Sequence, residues 1–317
     1  MSQMTLRDVD RIEIRTLMDN YADVLLESTD VVTRQSIQCE GQILADALMA
    51  EHGLSQLVRV HRGEKTHTVL FDAGYSSIGV PHNVALLGLD LDQVEAIVLS
   101  HGHMDHTGSL NAMLEKLPAG IPLVVHPDAF RFPRYYTMQD GTRIRFPRTL
   151  IRDKLESRGF PIWESTKTLL IAGETVMITG EVERTTPFET GLPNFLLERD
   201  GAIVVDPISD DQAMILSLKG KGLVVVSGCA HAGIINTINF ARKITSCQSV
   251  HAVLGGFHLA GPAFDPILEE TIAALKEIAP NILVPMHCTG WKAIKRFSEE
   301  FPNEFILNSV GSTFTLS

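Results

Sequence analysis

The chain alternates short, almost wholly apolar runs with longer amphipathic ones. Runs at 12–18, 57–61, 68–72, 96–100, 122–126, 195–198, 202–206, 223–227, 251–254, 282–286 and 313–316 are mostly rich in Val, Ile and Leu and bounded by Gly, Asp or Pro, the pattern of buried strands. Between them, 41–50, 84–88, 107–117, 148–158, 234–245, 266–278 and 291–297 read as helices. Strands alternating with helices imply sheets covered by helices, so an α/β class is expected. The 317 residues suffice for one large α/β domain or two small ones. No repeat or low-complexity linker divides them, and residues 1–317 read as a single domain.

Composition narrows the class. Hydrophobic residues make up 44% and charged residues 21%, as in ordinary globular proteins. No apolar run reaches the roughly 18 residues of a membrane span. Residues 1–10 are polar and lack the apolar core of a signal peptide. The cysteines Cys39, Cys229, Cys247 and Cys288 form no CxxC pair, so a reducing, cytoplasmic setting is expected. The formal net charge of −11 argues against nucleic acid as a partner, since a phosphate backbone would be repelled. No membrane partner is expected, and a homo-oligomer stays open.

One stretch runs against the overall acidity. Residues 126–160 carry eight cations, among them Arg134 and Arg145, against four carboxylates, for a local net charge of +4, together with Tyr135 and Tyr136. Such a basic insertion is either a solvated surface segment or a lid that offers cations and aromatic faces to a small anionic substrate.

The densest candidate chemistry is Ser100-His101-Gly102-His103-Met104-Asp105-His106-Thr107-Gly108, directly behind the apolar run Ala96-Ile97-Val98-Leu99. His101 and His103 are two apart, so in an extended loop both imidazoles project to one side and can grip one metal. Asp105 and His106 follow as the chain turns and can reach a second. Imidazole and carboxylate suit zinc, iron or manganese. Gly102 and Gly108 are expected to let the backbone pass close to the ions. Three later histidines, His231, His258 and His287, also stand just beyond apolar runs, where further ligands would be placed. Cys229 competes with His231 as a ligand, and its other reading is a small buried apolar residue.

His-x-His-x-Asp-His behind a buried strand resembles the metallo-β-lactamase superfamily. The resemblance implies a four-layer αβ/βα sandwich with two divalent transition metals, zinc foremost, at one edge between the sheets. It also gives Asp72, in Phe71-Asp72-Ala73-Gly74, the role of a carboxylate that orients a ligand loop. Cys229 lies where the superfamily commonly has a bridging Asp. The superfamily's usual isolated histidine has no counterpart near 179–184, where Glu181 is the available substitute. The stretches Met18-Asp19-Asn20, Glu51-His52-Gly53-Leu54-Ser55, Asp210-Asp211-Gln212-Ala213, Gly228-Cys229-Ala230-His231, Gly255-Gly256-Phe257-His258-Leu259 and His287-Cys288-Thr289-Gly290 are similar to one branch, which includes archaeal dihydropterin-ribofuranosylaminobenzene-phosphate synthases. In that branch His52 faces the cleft.

The expected ligands are thus His101, His103, Asp105, His106, His231 and His287, with Cys229 beside them. Asp105 and His258 are the candidate catalytic residues, His258 as a proton source. His52, Arg134, Arg145 and Glu181 are candidate substrate contacts. The chemistry expected is hydrolysis of a small anionic compound, a phosphodiester or a phosphoribosyl or pterin-type molecule, by a metal-activated hydroxide. A non-haem iron oxidoreductase and a metal-binding module without hydrolytic activity are the alternatives.

Overall fold

The computed structural model describes residues 5–39, 41–43 and 45–317. The apolar runs assemble into two large sheets. In the first, neighbouring strands follow the order Ile162–Glu164, Leu123–Val125, Val94–Val98, Lys65–Phe71, Ser55–Arg62, Arg11–Met18, Thr313–Leu316 and Val32–Thr33. In the second, the order is Leu169–Ile171, Val176–Ile178, Ala213–Leu218, Gly222–Ser227, Val250–Gly256 and Ile282–Met286, with Asp8–Val9 alongside Ala213–Leu218.

Both faces of both sheets are covered, which is why their strands read as nearly continuous apolar runs. Alternate residues enter different cores, as strand geometry requires. Val69, Phe71, Ala96 and Val98 of the first sheet meet Met214, Leu216, Val224 and Leu254 of the second in a core between the sheets. Leu70, Ile97 and Leu99 turn the other way, against Val80 and Val84 of helix Gly79–Leu86 and Leu155 of helix Arg152–Ser157. Ile215, Val225 and Val253 pack on Ile235 and Ile238 of helix Ile234–Thr245, and on Leu275 and Phe297 of helices Asp265–Ile278 and Trp291–Glu300. The result is the expected four-layer αβ/βα sandwich.

Several local expectations fail. Among the described residues of 41–50 the expected helix is absent. Gln42–Ile43 pairs with Gln38–Cys39 as a short ribbon, residues 45–50 are irregular, and residue 44 lies outside the described residues. The helix at 107–117 is two single turns, Met104–Thr107 and Leu110–Met113. The strand Ala213–Leu218 is missing from the expected set, because Ala, Met and Leu favour helix and pairing with Gly222–Ser227 overrides that preference. Residues 126–160 contain a hairpin, Arg134–Thr137 with Arg143–Arg145, which joins Phe195–Arg199 and Ala202–Val205 in a separate four-stranded sheet. No helix among the described residues is long and apolar enough to cross a membrane.

What the fold contributes to function is an edge. Lys65–Phe71, Val94–Val98 and Leu123–Val125 run parallel in the first sheet. Gly222–Ser227, Val250–Gly256 and Ile282–Met286 run parallel in the second. Every cluster of polar residues singled out by sequence after an apolar run sits just past the carboxyl end of one of these strands.

Candidate metal centre

The loops bring the expected donors into two adjoining sets. In the first, Nε2 of His101 lies 3.0 Å from Nδ1 of His103 and 3.2 Å from Nε2 of His231. In the second, Nε2 of His106 lies 3.1 Å from Nε2 of His287, and Oδ2 of Asp105 lies 3.8 Å and 3.4 Å from those same atoms. The Cys229 thiol is 3.1 Å from His106 Nε2 and lies within 4.8 Å of the donor atoms of Asp105 and His287 on one side and of His101 and His231 on the other. His231 and Cys229, set against each other by the sequence, therefore both reach the cluster.

The outer nitrogens decide what the inner ones can do. Nδ1 of His101 is 2.9 Å from Ser100 Oγ, Nδ1 of His106 is 2.6 Å from Asp72 Oδ2, and Nδ1 of His287 is 3.3 Å from Asn20 Oδ1. Asp72 and Asn20 offer only acceptor oxygens at these contacts, and the Ser100 hydroxyl, its own proton given to Asp72, accepts likewise. These three imidazoles are thus held with the proton outward and the Nε2 lone pair inward. Lone pairs that face one another at about 3 Å in a dry site repel unless a cation lies between them. The donor set fits bound transition metal.

Electrostatics agree. Burial, then neighbouring His106, holds His101 well below the ordinary imidazole range. Burial and then His258 does the same to His231, and burial with Arg134 takes His103 down to about 3. Asp105 is pushed up by burial but pulled well below the usual carboxylate range by His106 and His287. His106 and His287 are the exceptions. Burial disfavours charge on both, yet Asp72 and Asp105 raise His106 to about 9, and Cys288 and Asp105 raise His287.

A second layer of buried carboxylates and amides fixes the loops. Asp72 accepts hydrogen bonds from the N–H and the hydroxyl of Ser100, both at 2.7 Å. Asp19 accepts from the N–H of His287 at 2.9 Å and from Asn308 at 2.7 Å. Asp210 accepts from the N–H of Gly102 at 2.8 Å, and Asp211 from that of Ala232 at 2.9 Å. Gln212 donates to the carbonyl of Leu99 at 2.8 Å. Glu51 accepts from the N–H groups of Tyr75 and Ser76. The stretches 18–20, 51–55 and 210–213 thus include anchors of the site's loops.

Other sequence-chosen residues divide. His258 lies against His231, with ring centroids 4.1 Å apart and the planes tilted by 50°, and faces a cavity of about 480 Å³. His52 stands on the opposite flank, mostly exposed, with Nε2 3.5 Å from Asp105 Oδ2. Arg134 offers no free fork to an anion. It is buried, 3.0 Å from Asp206 and 2.6 Å from Asp210, and through Asp210 it steadies the loop between His101 and His103. Arg145 is exposed on the hairpin, 5.9 Å from the Phe132 ring centre. Glu181 is also exposed and belongs to no donor group among the described residues. A Cβ on Gly102 would strike the carbonyl of Ala129 and one on Gly108 that of Tyr75, so both glycines allow a close approach of backbone to backbone.

Sequence reasoning missed the aromatic cover and the cavity. Phe146 and Phe195 pack on His103, with ring centroids at 5.0 and 5.7 Å. Phe195 also lines the cavity with Phe188, Leu192, Phe264 and Ile267. No motif marks these side chains. Arg184 donates to the carbonyls of Pro207 at 2.6 Å and His231 at 3.4 Å, bracing the loop that carries His231.

A four-layer sandwich with this donor set at the strand ends places the chain among metal-dependent enzymes. Residues 52–186 match the metallo-beta-lactamase superfamily, and the chain belongs to that superfamily. Over 311 residues it is 30% identical to the 7,8-dihydropterin-6-methyl-4-(β-D-ribofuranosyl)-aminobenzene-5'-phosphate synthase of Methanocaldococcus jannaschii, covering 95% of this chain and 96% of that one. An uncharacterised protein of the same archaeon is 32% identical over 83% of this chain and 92% of its own length. The crystal structure of Tm1679, a metal-dependent hydrolase of the β-lactamase superfamily, matches with a TM-score of 0.71 and 25% identity, covering 96% of this chain and 98% of that one.

Two predictions test the supporting layer. Arg134→Ala leaves Asp206 and Asp210 buried without their partner and should lower the free energy of unfolding by about 3–5 kcal/mol in denaturant titrations. An unchanged midpoint would remove Arg134 from the scaffold. Asp72→Asn keeps the shape but replaces a charged acceptor of the His106 proton, so metal affinity should fall by about 10–100-fold in competition with a chelator. Equal affinity in variant and parent would show that Asp72 does not orient His106.

Proposed function

We propose that the chain is a metal-dependent hydrolase holding two transition-metal ions. His101, His103 and His231 would hold one, and Asp105, His106 and His287 the other, with the Cys229 sulfur within reach of both donor sets. The observation that carries this is the pairing of inward-facing donor atoms with outer nitrogens held by Ser100, Asp72 and Asn20. Zinc suits imidazole, carboxylate and thiolate together, and iron or manganese suits the first two. Ions bound there would supply Lewis acidity, which would activate water at neutral pH and polarise the oxygen of an electrophile.

The chain's own residues fix what meets that centre. The cavity beside His231 and His258 is walled largely by aromatic and aliphatic side chains, so it suits the ring or apolar body of a small substrate. His258 stands where that cavity reaches the donors and is the residue placed to protonate a leaving group. His52, across the cluster beside Asp105, is placed to exchange a proton with solvent. A phosphodiester or phosphoribosyl compound with an aromatic part fits both halves, its anionic group at the ions and its ring in the cavity. The archaeal relative is named for a compound that joins a pterin and an aminobenzene to a ribofuranosyl phosphate. Arg145 and the other exposed cations of the hairpin act on an approaching anion from a distance, through steering that salt screens within about 8 Å.

Fully reconstituted protein should contain about two metal ions per chain. His231→Ala and His106→Ala should each retain about one. His251→Ala should keep both, because its Nδ1 pairs with Asn281 at the opposite end of its strand. Elemental analysis decides this, and one ion per chain in the reconstituted parent rules out the two-ion reading. A bis-aryl phosphate should be hydrolysed, and Phe188→Ala and Leu192→Ala should raise KM more than they lower kcat. Unchanged KM in both variants would move the substrate out of this cavity.

A further inference from the structure

Cys288 has no task in the ligand set proposed above, yet it lies inside the cluster. Its sulfur, the Cys229 sulfur and a ring nitrogen of His258 are all within 4.8 Å of one another. Cys288 Sγ is also 3.6 Å from the Cys229 carbonyl oxygen. Both cysteines are buried and neither is in a disulfide.

Their meeting is not a consequence of adjacent strands. Cys229 follows Gly222–Ser227 and Cys288 follows Ile282–Met286, and Val250–Gly256 lies between those strands. Two strand spacings separate the backbones, about 10 Å. The gap closes because the middle strand ends in Gly255-Gly256. A Cβ on Gly256 would stand 2.6 Å from the Cys288 sulfur and would also strike the carbonyl of Gly228. The missing side chain opens the space in which the two loops lean together, and the Cys288 thiol and the Cys229 backbone occupy it.

We infer that Cys229 and Cys288 form an oxidisable pair, a covalent modification site for a peroxide. One thiol gives its sulfur electron pair to the peroxide oxygen, forming a sulfenic acid and releasing water or an alcohol. The second sulfur then attacks the first, the S–S bond forms, and the hydroxyl leaves as a second water. Two thiols and one peroxide are consumed. The sulfurs lose two electrons and the peroxide gains them. The Cys229 sulfur in the disulfide is no longer available as a thiolate, so oxidation also weakens the hold on metal. That consequence rests on the ligand set proposed above, whereas the covalent step does not.

The test uses full-length, metal-loaded protein treated under anaerobic conditions with one equivalent of hydrogen peroxide. Expected are the loss of two alkylatable thiols, a mass lower by two hydrogen atoms, and a cross-linked peptide pair containing Cys229 and Cys288. Dithiothreitol should reverse all three. Cys247→Ser should behave as the parent does. Cys288→Ser should load metal normally and form no cross-link. The proposal is overturned if both thiols remain alkylatable, if oxygen adducts build up without a cross-link, or if Cys288→Ser loses the same two hydrogens. Metal release to a chromogenic chelator is read in parallel. Faster release after cross-linking supports Cys229 as a ligand, and unchanged release removes it from the ligand set while the oxidisable pair stands.

Discussion

A buried carboxylate at the end of Lys65–Phe71 ties the first sheet to the donor cluster. Asp72 has no exposure to solvent, and its two oxygens take the Ser100 N–H, the Ser100 hydroxyl and the His106 ring proton. A carboxylate removed from water is tolerable only when its lone pairs are met in this way. Meeting them fixes the start of the His-x-His-x-Asp-His loop, and through Ser100 Oγ it also fixes the ring of His101. The remaining donors are arranged around what this one residue holds in place.

The same device recurs. Asp19, Asp210 and Asp211 are each buried and each accepts a backbone N–H at or beside a residue of the cluster: His287, Gly102 and Ala232. A chain of net charge −11 thus buries several of its negative charges around a site suited to cations. Arg134 balances two carboxylates there, which is why a residue from the most basic segment of the sequence ends inside the scaffold. The rigidity matters for function, since donors held by packing and hydrogen bonds need little rearrangement to bind metal.

The sequence made the fold class legible because both sheets are covered on both faces and so leave long apolar runs. The candidate donors were legible because each follows such a run. Two things were hidden, for physical reasons. Ala213–Leu218 has helix-favouring residues and becomes a strand only by pairing, and 41–50 has helical composition without a helix. Side-chain partners far apart in sequence were also invisible. Nothing local shows that Arg134 meets Asp206 and Asp210, that Asn20 holds His287, or that Phe195 covers His103. The basic segment shows the limit of reading charge alone. Its apolar Phe146 touches the site, while Arg143 and Arg145 stay outside it.

Whether one set of loops builds two distinct ion sites is decided by anomalous X-ray scattering from crystals grown with zinc. Two separate anomalous peaks are expected. One should lie about 2.0–2.2 Å from nitrogens of His101, His103 and His231, and the other at similar distances from Asp105, His106 and His287. A single peak, or a pair in which His231 or His287 is not coordinated, would contradict the two-site reading.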